Sequence, residues 1–265
     1  MTNLKISPRL QAILTAVFVT FLWSSSWVLI KVGLRNDLSP ITFAGLRYTL
    51  AFLLLIPLVL NNKATRHAIK HLHPSEWGKL VALGIIFYSL TQGSMFLALA
   101  YLPANTLSLL LNMSSVFVGI AGIFLLKEYP SLLQWIGLGV SALGVGIYFF
   151  PVSMPPALLI GLGIGFFCMA ANVTSSLFSR AVNRNAVLPP LLVTFIPMGV
   201  GAIIMLIIGL LFEGMGRLSF LDWVIITWLA LVNSALAFWL WNRSLQVLTA
   251  VESSVINSLM MPQID

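Results

Sequence analysis

Charge is scarce in this sequence. Only 8% of its 265 residues are Asp, Glu, Lys or Arg, against about 25% in a soluble domain. A third of the usual charge cannot cover a water-exposed surface. Cysteine is scarcer still: Cys168 stands alone in an apolar run, which excludes an intramolecular disulfide and leaves the redox compartment unmarked. The apolar stretches hold almost no carboxylates. Neither H-E-x-x-H, G-x-S-x-G nor a phosphate-binding loop occurs. A membrane enzyme is therefore disfavoured, and no catalytic residue, cofactor or metal site is expected.

Apolar side chains, by contrast, make up 59% of the chain. They fall into runs of roughly 18–24 residues, the length that crosses a bilayer core as a helix. The pattern is that of an all-α polytopic membrane protein. Spans are expected near residues 11–32, 39–60, 77–99, 104–126, 132–150, 156–178, 188–212 and 222–242, with a ninth starting near Thr249. Lys5 and Arg9 precede a first run too long for a signal peptide and lacking a small-residue cleavage site, so it reads as retained. Prolines mark several span entries: Ser39-Pro40, Pro103, Pro130, Pro155-Pro156 and Pro189-Pro190. Pro197, inside the seventh span, should kink it or leave a carbonyl free.

The net charge of +7 does not indicate a nucleic-acid partner, because the basic residues punctuate short loops instead of forming a patch. With the N-terminus inside, ten fall on the cytoplasmic side (Lys5, Arg9, Lys63, Arg66, Lys70, Lys79, Lys127, Arg180, Arg184, Arg243) and four near the other (Lys31, Arg35, Arg47, Arg217). The positive-inside rule then sets the N-terminus in the cytoplasm. Short loops and no organellar targeting features point to a bacterial cytoplasmic membrane.

The chain also repeats itself. Glu76-Trp77 and Asp222-Trp223 open the third and eighth spans 146 positions apart, and the same offset superposes Leu99–Ala104 on Leu245–Ala250. Upstream, an offset of 149 superposes Lys31–Asn36 on Arg180–Asn185 and Pro40 on Pro189. Five spans separate the copies, and an odd number inverts the second copy in the membrane. Inverted repeats characterise secondary transporters, whose substrate site lies near the midplane between the halves.

The stretches WSSSWVLIKVGL (from Trp23), SPITFAGLRYTLAFLLLIPLVL (from Ser39) and ALAYLPANTLSLLLNMSSVFVGIAGIFLLKE (from Ala98) resemble the EamA-type branch of the drug/metabolite transporter superfamily. The resemblance is close from about Trp23 to Gly146 and weaker, but in register, afterwards. It rests on Trp23, Lys31, Ser39, Pro40, Leu46, Arg47 and Glu128. It implies ten helices in two inverted halves of five, here a first repeat at 11–150 and a second at 156–265, and export or exchange of small metabolites. The repeat offset sets Asp265 opposite Gly119, so the ninth span is expected to stop short and the second repeat to be incomplete.

Residues for substrate binding are sought among polar and aromatic groups at membrane depth, where they are costly. Arg47 lies seven residues past Pro40 and either snorkels to the interface or faces the bundle interior. Trp23 and Trp27, four apart, share a helix face. Tyr88 and Gln92 pair likewise on the third span, Ser108 and Asn112 on the fourth; Asn233, Ser234 and Asn257, Ser258 recur at comparable depth in the second half. The substrate-binding set is thus Arg47, Trp23, Trp27, Tyr88, Gln92, Asn112, Ser234 and Asn257. Lys31 is a candidate for coupling or gating, but equally an ordinary interfacial anchor. Glu252 is a second, though a carboxylate in a first helical turn is also stabilised by the helix dipole.

Cations facing the site without a buried acid disfavour cationic drugs and favour an anionic or zwitterionic solute such as an amino acid. His67, His71 and His73 in the cytoplasmic loop have metal-ligand spacing, but the surrounding Lys63, Arg66, Lys70 and Lys79 favour an interfacial loop facing anionic headgroups. The GLGIG stretch, Gly161–Gly165, reads as a packing face within the chain. The expected partners are a small solute and the bilayer, with a homo-oligomer left open. The alternative to a transporter is a membrane scaffold or sensor without flux, or an inactive truncated transporter.

Overall fold

The computed structural model describes residues 7–35, 38–148 and 156–260. Lys5, Pro155 and the expected end of the ninth span at Asp265 lie outside the described residues. The helices, in order, are α1 (Pro8–Arg35), α2 (Pro40–Asn61), the short α3 (Lys63–His71), α4 (Pro74–Tyr101), α5 (Ala104–Leu126), α6 (Leu132–Tyr148), α7 (Pro156–Asn183), α8 (Pro190–Phe212), α9 (Phe220–Ser244) and α10 (Ala250–Ser258). Seven of them are long and apolar enough to cross a membrane, and α6 is a shorter apolar helix.

Local chemistry starts these helices where the sequence suggests. Proline stands in the first turn of α2, α4 and α8, where its missing N–H is no loss and its fixed φ suits the helix. Two capping boxes stand 146 positions apart: His73 with Glu76 opens α4, and Ser219 with Asp222 opens α9. In each, the cap side chain accepts from a first-turn N–H and the carboxylate accepts from the cap N–H. At α10, Thr249 and Glu252 repeat the arrangement.

The inverted repeat extends into irregular backbone. α4 passes through a π-helical stretch at Gly84–Gln92, and α9 through one at Leu231–Leu236. Offset by the same 146 positions, the first segment of α5 (Ala104–Asn112) is capped at its C-terminus by Met113 and α10 by Leu259. Sharp departures such as these mark functional positions more often than regular helix does. Pro197 sits inside α8, which runs unbroken from Pro190 to Phe212.

α2 and α8, which share the Pro40/Pro189 register, form the central pair. A Cβ on Gly45 would lie 2.7 Å from the Leu206 backbone, and one on Gly209 would lie 2.7 Å from the Thr42 backbone. Only glycine permits this approach, in the manner of small-residue contacts between membrane helices. Glu213, just past α8, accepts at 2.9 Å from the N–H groups of Ile41 and Thr42. A carboxylate thereby meets the positive end of α2. Gly161 and Gly165 pack against Leu102 and Leu110 of the same chain. The main core gathers Phe43, Tyr48, Phe96, Leu99 and Phe238, all almost fully buried.

Candidate functional site

Between the two halves lies a cavity of about 110 Å3. One wall is aromatic and cationic: Trp23 and Trp27 of α1, Arg47 of α2, and Phe238 and Trp241 of α9. The Trp23 ring meets Phe238 and Trp241 with centroids 5.0 Å from each. The opposite wall consists of amides and hydroxyls. Asn172, Ser176 and Ser179 line it from α7, and Ser108, Asn112 and Ser115 from α5. Both triplets follow i, i+4, i+7 spacing, which keeps them on one helix face. Ser253, Ser254 and Asn257 of α10 complete the wall.

Many of the lining positions come in repeat-related pairs. Trp23 and Asn172, and Trp27 and Ser176, stand 149 positions apart. Gln92 and Phe238, Met95 and Trp241, Ser108 and Ser254, and Asn112 and Ser258 stand 146 apart. Equivalent helix faces therefore converge on one space, but with different chemistry in each half. Arg47 breaks the pairing, since positions 193 and 196 at either offset are Val and Ile.

Arg47 is 1% exposed yet lines the cavity. Its Nε donates to Ser234 Oγ at 2.8 Å and its Nη2 to the Asn233 carbonyl at 3.2 Å. The guanidinium carbon lies 5.0 Å from the Tyr48 ring centroid and 5.7 Å from that of Phe96. Nη1 is buried and has no hydrogen-bond partner among the described residues. Ion pairs among the described residues join Arg9 to Glu252 and Arg180 to Glu128, not Arg47 to an acid. Ring faces contribute about 0.5–2 kcal/mol each, whereas desolvating an ion costs several. A neutral surround of this kind leaves the positive charge uncompensated, and an anion entering the cavity would relieve it.

The structure thus brings Arg47, Trp23, Trp27, Gln92, Asn112 and Asn257 to the cavity. Gln92 also accepts from the Tyr48 hydroxyl at 2.8 Å, and Asn257 Oδ1 is buried without a partner among the described residues. Two residues of the expected set stand behind the wall instead. Tyr88 is 1% exposed and packs against Tyr48 and Phe238, its hydroxyl without a partner among the described residues. Ser234 is fully buried and holds Arg47.

Lys31 and Glu252 sit away from the cavity lining as well. Lys31 Nζ donates to the carbonyls of Leu99 and, at 2.5 Å, Leu102, at the end of α4. A cation at a helix C-terminus is favourable there. Glu252 accepts from the Thr249 N–H at 3.0 Å and pairs with Arg9. Beyond the cavity's Ser179, Arg180 donates to Glu128 at 2.9 Å and to the Leu245 carbonyl at 2.7 Å. Glu128 also accepts from the Ala250 N–H at 2.7 Å, at the start of α10. The exposed His67 and His71 rings meet at a tilt on α3, centroids 4.3 Å apart.

Sequence reasoning missed Asn172, Ser176 and Ser179. The signal was available: the offset of 149, applied to Trp23 and Trp27, lands on Asn172 and Ser176.

An uncharacterized transporter of Archaeoglobus fulgidus is 34% identical over 102 residues, which cover 38% of this chain and 34% of that protein. The uncharacterized transporter YvbV of Bacillus subtilis is 27% identical over 141 residues, 53% of this chain and 44% of that protein. The matches thus span less than half the length of these relatives. A protein of known crystal structure superposes with a TM-score of 0.73 over 96% of this chain and 85% of its own, at 17% identity, a likeness of fold alone. The model of the EamA-like transporter family matches twice, at residues 10–150 and 157–262, and the chain belongs to that family.

Proposed function

We propose that this chain is a secondary transporter that exports or exchanges a small anionic or zwitterionic metabolite, amino-acid-like in its charges, by alternating access at the cavity between its halves. The observation that carries the reading is Arg47: a buried guanidinium at a cavity wall, with Nη1 unpaired and no acid beside it among the described residues. A carboxylate is the natural partner, because charge-assisted hydrogen bonds to guanidinium are strong and directional. Trp23 and Trp27 offer faces to an apolar part of the solute, and Gln92, Asn112 and Asn257 offer hydrogen bonds. Tyr88 and Ser234 support this wall, and Lys31 and Glu252 hold helix ends. A cavity of about 110 Å3 suits a solute well below drug size. Pairwise lining by both halves supports alternating access, since rocking one against the other exposes the site to each side in turn. The distribution of Lys and Arg supports an N-terminus in the cytoplasm of a bacterium.

The test is counterflow in proteoliposomes loaded in turn with L-amino acids, dicarboxylates or polyamines. Exchange of an amino acid or a dicarboxylate is the expected result. Exchange of polyamines alone would overturn the charge assignment, and silence with all three classes would favour a scaffold or sensor.

A further inference from the structure

The π-helical turn in α9 has a consequence for Arg47. An α-helix spends each interior carbonyl on the N–H four residues later. Around Leu231–Leu236 that ladder slips: the Ala237 N–H reaches the carbonyls of Val232 and Ser234 and passes over Asn233. The Asn233 carbonyl is taken instead by two donors from the other half, Trp23 Nε1 at 3.2 Å and Arg47 Nη2 at 3.2 Å. One residue on, the Ser234 hydroxyl accepts from Arg47 Nε at 2.8 Å. The Asn233 side chain adds a third tie, donating to the Leu22 carbonyl and, at 3.2 Å, to Ser25 Oγ of α1.

We propose that Asn233 and Ser234 are positioning residues for the transport site: the slipped turn frees one carbonyl and sets one hydroxyl so that Arg47 is held by Nε and Nη2 at the cavity wall, with Nη1 left without a partner among the described residues. Regular helix at this point would consume the carbonyl, leaving the guanidinium without its second anchor. The role rests on the transporter reading, but the geometry it requires can be measured without any transported solute. Ser234 is fully buried and lies outside the cavity lining, so its effect on the site passes through Arg47.

The probe is 2,3-butanedione, which condenses with the two terminal nitrogens of a guanidinium and so reacts slowly where Nη2 is held and the group is anchored at Nε. The purified full chain is treated in detergent, and modification of each arginine is followed by peptide mass spectrometry. Ser234→Ala removes the Nε anchor, which lets the guanidinium swing and weakens the hold on Nη2, and is expected to raise the Arg47 rate about fivefold, the size of one lost hydrogen bond. Ser234→Thr, which keeps the hydroxyl, is expected to match the parent. Arg180 and Arg184, in the same molecules, are internal controls and should not change. An Arg47 rate that is unchanged in Ser234→Ala, or raised equally in Ser234→Thr, overturns the proposal. So does a rise shared by Arg180 and Arg184, which would mean general loosening. Absence of solute flux in liposomes would sink the transporter reading and leave this reactivity pattern intact, so the two failures are distinguishable.

Discussion

Lys31 and Arg180, 149 positions apart, do the same work in the two halves of the molecule. Each donates from the end of the first helix of its repeat to a main-chain carbonyl at the end of the third, Leu99 for Lys31 and Leu245 for Arg180. Those two acceptors are themselves 146 positions apart. The second bond of each differs: Lys31 reaches another carbonyl, Leu102, whereas Arg180 reaches the Glu128 carboxylate just past α5 and so ties α7 to that end as well as to α9.

Lys31→Met should therefore act on stability and not on recognition. Losing the cation at the end of α4 is expected to lower unfolding free energy by about 1–2 kcal/mol. Solute affinity should stay within twofold of the parent. Thermal unfolding in detergent beside equilibrium solute binding separates the two effects.

The Glu128–Arg180 pair is nearly buried, with side chains 15% and 11% exposed. Removing one partner leaves the other charge stranded, at a cost of about 3 kcal/mol. Glu128→Gln and Arg180→Gln should each destabilise by that order, and the double variant by much less than the sum. A double-mutant cycle on unfolding reads the coupling; additive losses would mean that the pair contributes little.

Glycine positions divide sharply in what they tolerate. Gly45→Ala and Gly209→Ala each press a methyl against backbone at 2.7 Å, where no side chain can yield, and should cost more than the about 1–3 kcal/mol of ordinary overpacking. Gly137→Ala and Gly139→Ala on α6 meet nothing within 4 Å and should be neutral. The fraction of monodisperse protein recovered from membranes is the readout.

Much of this was legible in the sequence because membrane helices announce themselves by length and apolarity, and because an internal repeat can be read as an offset. The span entries at Pro40, Glu76 and Asp222 became real helix starts, the latter two with capping boxes. The π-helical turns were not legible: Gly84–Gln92 and Leu231–Leu236 are as apolar as their flanks, and a one-residue slip in hydrogen bonding leaves no compositional trace. Tyr88 and Ser234 show the consequence. Both occur at membrane depth, as expected, but the sequence alone does not say whether a polar group faces a cavity or another side chain. Lys31 illustrates the opposite limit: its partners are backbone carbonyls, which every residue possesses.

Asn172→Leu tests whether the polar wall takes part in recognition. The leucine keeps the bulk and removes the amide, so the site loses a hydrogen-bonding group without losing volume. If the wall reads the solute, affinity should fall about tenfold, as for a site deprived of a polar contact of about 1.4 kcal/mol, with stability unchanged or improved.

The central claim is that Arg47 binds the anionic group of a transported solute. The most direct test is counterflow of the exchanged amino acid or dicarboxylate in proteoliposomes containing either the parent or Arg47→Gln, matched for the amount of folded protein. The account predicts that Arg47→Gln loses flux by more than about tenfold, as expected for a charge-assisted contact of at least 1.5–3 kcal/mol, with the apparent KM rising. Undiminished flux and an unchanged KM would contradict it.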